Sequence, residues 1–362
     1  MRRFLNWTIA VPVLAMLALA LAWGRELPLI PVIIVALLLA GAVLAAVHHA
    51  EVIAHRVGEP FGSLVLAVAV TVIEVALIVS LMISGGEKTA SLARDTVFAA
   101  VMITCNGIVG LSLLAGTLRR RRVVLFNAEG SGGALATVAT LATLSLVLPT
   151  FTTSAQGPAF SPGQLAFAAV ASLALYGLFV LTQTVRHRDY FLPVGVEGRS
   201  PGDESHAPRP SGRTALGSLG LLLVALVAVV GLAKVESPVI EEAVSGAGLP
   251  QAVVGVVIAL LVLLPETIAA VRAAKRRQIQ ISLNLALGSA MASIGLTIPA
   301  IALTSVWLDG PLVLGLGATH MVLLALTIGV STLTVVPGRA TLLQSGVHLV
   351  LFAAFLFLAV SP

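Results

Sequence analysis

Charge is scarce in this sequence. Only 10% of its 362 residues are Asp, Glu, Lys or Arg, against roughly a quarter in soluble domains, too few to cover a water-facing surface. A single cysteine, Cys105, excludes an internal disulfide and any multi-cysteine metal cluster. Alternating apolar–polar patterning is missing too, which excludes a transmembrane β-barrel. There is no Gly-x-Ser-x-Gly, no Walker phosphate loop and no His-Glu-x-x-His. No soluble-type catalytic set is present, so the chain does not read as an enzyme, and ATP is not the energy source within it.

What is abundant is hydrocarbon. The chain is 58% hydrophobic, its mean hydropathy is +1.06, and apolar runs near the ~20 residues that cross a bilayer recur throughout. The expected fold is an all-α polytopic membrane protein with the lipid bilayer as its first partner. Eleven spans are expected, at 6–23, 28–48, 60–84, 96–117, 131–149, 163–185, 214–233, 249–271, 280–303, 311–330 and 341–360. The start "MRRFLNWTIAVPVLAMLALALAWG" has the basic end, apolar run and Ala-x-Ala pattern of a cleavable signal; a retained first helix fits the topology better.

The pI near 10.1 suggests nucleic acid only until the basic residues are placed. With a cytoplasmic N-terminus, all but four of the 21 basic residues fall in inside segments, the exceptions being Arg25, Lys88, Arg94 and Lys234. That asymmetry is the positive-inside signature, so N-in and C-out are expected in a cell inner membrane, and no nucleic acid is needed.

The polar stretch "RHRDYFLPVGVEGRSPGDESHAPRPSGR" is rich in Pro, Gly, Ser and charge, and reads as a cytoplasmic linker over 186–213. It divides the chain into an N-terminal helix (1–24), a first five-span half (25–185) and a second (214–362). Each half carries one glutamate in its second span: Glu74 in "LAVAVTVIEVALIVSLM" and Glu266 in "VVIALLVLLPETIAAV". Each is followed by a helix with Asn-x-x-x-Gly, "NGIVG" and "NLALG". Because five is odd, like halves must sit in opposite orientations, the inverted-repeat plan of many secondary transporters.

A charge at membrane depth costs at least ~2.5–3.5 kcal/mol, so each acid needs a partner, a proton or a wet cavity. Two such carboxylates suit a hard cation, since Ca²⁺ takes about 6–8 oxygen ligands. Empty, they repel each other and hold protons more tightly. Cation and protons then compete for one site, which is the physical core of an antiporter. The bland alternative is a neutral carboxyl bonded to neighbouring helices.

Pro265 precedes Glu266 and cannot donate to the Leu261 carbonyl, which is either a further ligand or only the consequence of a kink. Asn106 and Asn284 offer amide oxygens, and Ser289, Ser293, Thr71 and Thr104 offer hydroxyls; helix–helix glue is the competing role for each. Gly107, Gly110, Gly288 and Gly295 are expected to allow close helix approach. In "HHAEVIAHR" the spacing of His49, Glu51 and His55 is wrong for a zinc helix, leaving interfacial structure or proton access, the latter because histidine titrates near neutrality. Glu129, at the edge of the fifth span, is a hydrated helix end or a proton-entry group. His320 and His348 are read as structural.

"GEPFGSLVLAVAVTVIEVALIVSLM", "QTVRHRDYF", "LLPETIAAVRAA", "SLNLALGSAMASIGLTIPA" and "GVHLVLFAAFLFL" closely resemble the ChaA-type Ca²⁺:H⁺ antiporters of the cation/Ca²⁺ exchanger superfamily. The resemblance implies one N-terminal helix plus two inverted five-helix repeats. It places Glu74 and Glu266 as the acids that bind the cation and exchange it for protons. It also implicates Asn106 and, in the second half, either Asn284 or Ser289 and Ser293. Where relatives carry Gly-Asn-Ala-x-Glu around the acid, this chain has "TVIE" and "LLPE". The transported ions expected are Ca²⁺ and H⁺, with Na⁺ or K⁺ as the rival cargo; no cofactor is expected. A cation channel and an intramembrane hydrolase are the readings from other classes.

Overall fold

The computed structural model describes residues 5–25, 27–58, 61–85, 90–118, 123–194, 210–307 and 312–362. Most of the expected linker (195–209) and Arg2, Arg3, Lys88, Arg119 to Arg122, Arg199 and Arg209 lie outside them.

Thirteen α-helices follow in order among the described residues: α1 (Leu5–Ala22), α2 (Leu29–Val57), α3 (Phe61–Gly85), α4 (Leu92–Met102), α5 (Val109–Leu118), α6 (Ala128–Ala142), α7 (Pro162–Leu181), α8 (Gly212–Gly246), α9 (Ala252–Val262), α10 (Leu264–Lys275), α11 (Ile279–Thr304), α12 (Ala318–Val335) and α13 (Leu342–Val360). The only strands described, β1 (Val124–Leu125) and β2 (Arg339–Ala340), pair antiparallel, Val124 opposite Ala340. Eight helical stretches are long and apolar enough to cross a membrane. The bent α9–α10 pair makes a ninth, and two shorter apolar stretches, Trp7–Ala22 and Val68–Ile83, remain.

The chain forms two compact units, and both draw on the two halves of the sequence. In the first, α1, α2, α3 and α8 pack together. A Cβ at Gly41 would stand 2.9 Å from Val11, so α2 meets α1 at van der Waals range, the closeness that small residues allow. The second unit is centred on α11, which packs against α4, α5, α6, α7 and α10. Gly295 lets it approach α7, where a Cβ would lie 2.8 Å from Tyr176, and Gly110 does the same for α5 on α13, 2.9 Å from Leu349. Gly288 does not act this way: nothing lies within 4 Å of a Cβ there.

Several helix ends differ from hydropathy. α2 runs on to Val57 and α8 to Gly246, because polar residues with helical propensity continue a helix after its apolar run ends. The stretch "LVLGLG" (312–317) is apolar but not helical. Its backbone instead bonds to distant segments, Val313 N–H to the Ala90 carbonyl at 3.1 Å and Leu316 N–H at 2.8 Å to that of Leu146, in the π-helical turn 143–147 after α6.

Candidate functional site: two intramembrane glutamates and their polar surroundings

Glu74 lies in mid-α3, on the stripe formed by Ala69, Ile73, Leu77, Ile78 and Leu81, all buried; Val68, Val72 and Ile83 face outward. Its side chain is 3% exposed. A hydroxyl, Thr71, is buried one turn earlier. Glu74 belongs to the first unit.

Glu266 belongs to the second unit and is placed differently. α9 and α10 meet at a 51° bend at Leu263, and Pro265 opens α10. Leu261 lies in the last turn of α9, and the residue four places on is proline, with no N–H for its carbonyl. Thr267 donates both its backbone N–H (2.9 Å) and its hydroxyl (2.7 Å) to the Leu263 carbonyl. Glu266 thus sits half-buried in the first turn of a half-helix whose last turn carries Arg272 and Lys275. Both ends match the helix dipole, each charge worth about 0.3–1 kcal/mol. α10 closes on Arg277, with φ of +70°, while Gln278 N–H reaches the Ala273 carbonyl at 3.0 Å, a Schellman end with arginine at the position that favours glycine.

Asn106 is fully buried in a π-helical turn, Ile103–Ile108, between α4 and α5; such turns recur at functional sites. α10 and α11 pack on this turn. Its amide nitrogen donates to Thr327 Oγ1 at 2.9 Å, so its Oδ1 accepts from His348 Nδ1 at 3.2 Å. That fixes the His348 tautomer, whose Nε2 accepts from Thr334 Oγ1 at 3.1 Å. Both ends of the Asn106 amide are used inside the protein. Thr104 spends its hydroxyl on the Ala100 carbonyl, 2.7 Å away.

Asn284 stands in a second polar cluster. Its Oδ1 accepts from Gln280 at 2.9 Å, and its nitrogen donates to the Phe191 carbonyl at 2.7 Å. Gln280 also accepts from Asn127 N–H (2.7 Å) and donates to Ser131 (3.3 Å). Asn127 caps α6, accepting from Glu129 and Gly130 N–H. Gly130 lets the 188–191 turn dock, since a Cβ there would collide with the Tyr190 carbonyl. Glu129 is exposed beside Tyr190, whose phenol it holds above the ordinary tyrosine value by its negative charge and by a hydrogen bond. On α11, Ser293 is buried and Ser289 half-buried.

In the "HHAEVIAHR" run, His49 is buried and its Nε2 lies 2.9 Å from the Thr8 carbonyl, while the His48 ring is tilted against that of Trp7, with centroids 6.4 Å apart. His55 and Arg56 are exposed in the last turn of α2, where the dipole favours positive charge. Among the described residues no group of three or more His, Cys, Asp or Glu is placed to hold a metal ion.

One acid escaped hydropathy: Glu236, expected in a loop, is 3% exposed within α8. Its signal is spacing. Leu222, Ala225, Val229, Leu232 and Glu236 repeat every three or four residues, and all are buried.

The sodium/calcium exchanger protein family model matches this chain twice, over residues 27–185 and 217–361. The chain is 47% identical over 359 residues to y4hA, a candidate ionic transporter of Sinorhizobium fredii (strain NBRC 101917 / NGR234), covering 98% of this chain and 96% of that protein. It is 36% identical over 354 residues to the sodium-potassium/proton antiporter ChaA of Escherichia coli (strain K12), covering 96% and 94%. Its fold resembles the crystal structure of the H⁺/Ca²⁺ exchanger CAX, with a TM-score of 0.71 at 15% identity over 98% of this chain and 88% of that one.

Proposed function

Since this chain belongs to the sodium/calcium exchanger protein family, within the cation/Ca²⁺ exchanger superfamily, we propose that it is a proton-coupled antiporter that exports Ca²⁺ from the cytoplasm in exchange for H⁺. The family is one of transporters and not of enzymes, and the chain is a multi-pass membrane protein.

One observation carries the reading: each segment matched by the family model sets a glutamate, Glu74 or Glu266, in the second expected span of its half. Deprotonated, Glu74 and Glu266 bind the cation; protonated from outside, they release it there and carry protons inward. Burial supports this for Glu74, because a carboxylate 3% exposed is expensive as a bare charge and cheap as a neutral acid or an ion ligand. The half-helix supports it for Glu266, since broken spans of transporters present helix ends and freed carbonyls to ions, and the Leu261 carbonyl lacks its usual donor at Pro265.

Asn106, Asn284, Ser289 and Ser293 complete the proposed cation set, and His55 and Glu129 the proton path. The two asparagines join it only by giving up bonds they now make. Eleven spans, inverted five-helix repeats and an inner-membrane N-in, C-out topology belong to the same proposal, supported by the doubled family match and the basic-residue asymmetry. A Na⁺(K⁺)/H⁺ antiporter is the second reading, favoured by the name of the Escherichia coli relative.

The test uses everted vesicles with an acidic interior, challenged with Ca²⁺, Na⁺ or K⁺ while the pH gradient is followed. Collapse by Ca²⁺ that needs both glutamates supports the proposal. Collapse by Na⁺ or K⁺ alone transfers it to the second reading. Cation flux without proton counterflow makes the protein a channel.

A further inference from the structure

The first unit holds a second buried acid besides Glu74. Glu236 continues the inner stripe of α8, its Oε1 is buried, and that atom makes no hydrogen bond among the described residues. Two residues on, Pro238 interrupts the hydrogen-bond ladder of α8, because its nitrogen cannot donate to the Lys234 carbonyl. A buried carboxyl oxygen with no hydrogen bond, beside an interrupted backbone, is costly if purely structural.

Packing fixes its place relative to Glu74. α2 runs antiparallel to α1, because Gly41 meets Val11 while His49 meets Thr8. α3 begins four residues after the end of α2 and packs along it, so it runs antiparallel to α2 and parallel to α1. α8 is parallel to α1 as well, since Gly231 meets Leu19 and Lys234 lies over the Trp23 ring, 5.3 Å from its centre. A groove lined by Val72 and Ala76 of α3 and by Leu226, Val227, Val230 and Gly231 of α8 brings Glu74 level with about residue 228. At 1.5 Å per residue, Glu236 lies roughly 12 Å further along the bundle, toward the end that carries Trp23 and Lys234.

The other ionisable groups are accounted for. α1 has none; those of α2 (His48, His49, Glu51, His55 and Arg56) crowd its opposite end; α3 contributes Glu74. On α8 itself, Arg213 is exposed in the first turn, Lys234 lies over Trp23, and Glu242, the chain neighbour of Glu241, is exposed; Arg25, two residues past Trp23, is exposed as well.

We propose that Glu236 is a relay carboxylate, taking a proton from water at the Trp23–Lys234 end of the first unit and passing it toward Glu74, and taking the cation on the opposite journey. This rests on the antiport reading. The chemistry is simple proton transfer: the acid gains H⁺ from hydronium, leaves water, and returns H⁺ to the next carboxylate through water.

The experiment joins two readouts. In the wild-type protein in membranes, dicyclohexylcarbodiimide, which attacks protonated carboxyls in apolar surroundings, is mapped by mass spectrometry with and without Ca²⁺ or Na⁺. In vesicles, Glu236→Gln and Glu236→Asp are compared with wild type from pH 6 to 9. The expected result is cation-protected labelling of Glu236, at least tenfold slower exchange in E236Q with a displaced pH profile, and recovery in E236D. Labelling that no cation prevents, or E236Q exchange equal to wild type at every pH, overturns the relay. If wild type moves no cation against protons, the antiport reading falls by itself. The labelling then decides Glu236 alone: protection keeps it as an ion site, and no protection removes it.

Discussion

The helix carrying Glu74 and the helix pair carrying Glu266 occupy matching places in the two halves of the sequence, yet they solve one physical problem differently. α3 is unbroken, and its acid is buried in mid-helix, far from both ends of α3. The α9–α10 pair is bent by 51°, and its acid sits half-buried on the first turn after the bend. Glu266 gains from the helix dipole, about 0.3–1 kcal/mol, and from partial exposure. Glu74 gains neither, so its charge rests wholly on the side chains and ions around it. One span holds its acid by backbone geometry, the other by packing.

The sharpest way to break this comparison is to neutralise each acid in turn. Glu74→Gln and Glu266→Gln are each expected to lower cation-driven proton flux in vesicles at least a hundredfold, with both proteins still folded. If either transports as wild type, that glutamate is structural and the pairing fails. Next comes a transplant: Ile73→Pro installs in α3 the Pro-Glu pair of α10. Because Ile73 lies buried inside an intact helix, the expected cost is about 3 kcal/mol or more, read as a lower thermal unfolding midpoint in detergent. An unchanged midpoint would mean that α3 tolerates the same break.

The reverse change, Pro265→Ala, restores an N–H opposite the Leu261 carbonyl and favours a straight span. Flux is expected to fall about tenfold, equivalent to roughly 1.4 kcal/mol, without loss of stability. Unaltered flux would show the bend to be incidental. The smallest effect is expected at the far end of α10, where Arg277→Gly relieves a left-handed backbone position. It should stabilise the protein by about 1 kcal/mol, a rise in unfolding midpoint with flux unchanged.

Much of this was legible in advance. The helices over 5–22, 279–304 and 342–360 begin and end within a residue or two of their apolar runs, because lipid selects apolar residues along the whole of a span. The bend at Pro265 was legible too, since proline lacks a donor wherever it stands. Less legible was the use of each polar side chain. Asn106 and Asn284 look alike in "NGIVG" and "NLALG". One is locked to His348, 242 positions away in the chain, and the other to the Phe191 carbonyl, 93 away. The apolar run 312–317 misled for a related reason: hydropathy sees that Leu314 and Leu316 are apolar, and both are indeed buried, but not that the backbone of Val313, Gly315 and Leu316 bonds to distant segments.

By itself the sequence determined that the chain lives in a membrane as a bundle of helices, that each half sets one glutamate in the apolar run of its second span, and that one of the two follows a proline. These are sums over residue types and neighbours in the chain, and solvation by lipid acts on those directly. Only the tertiary structure decided that Glu236 is buried, that the Asn106 amide is spent on Thr327 and His348, and that one glutamate stands on a helix end while the other does not. Hydrogen-bond partners and burial depend on which distant segments meet, and nothing local in the chain encodes that meeting.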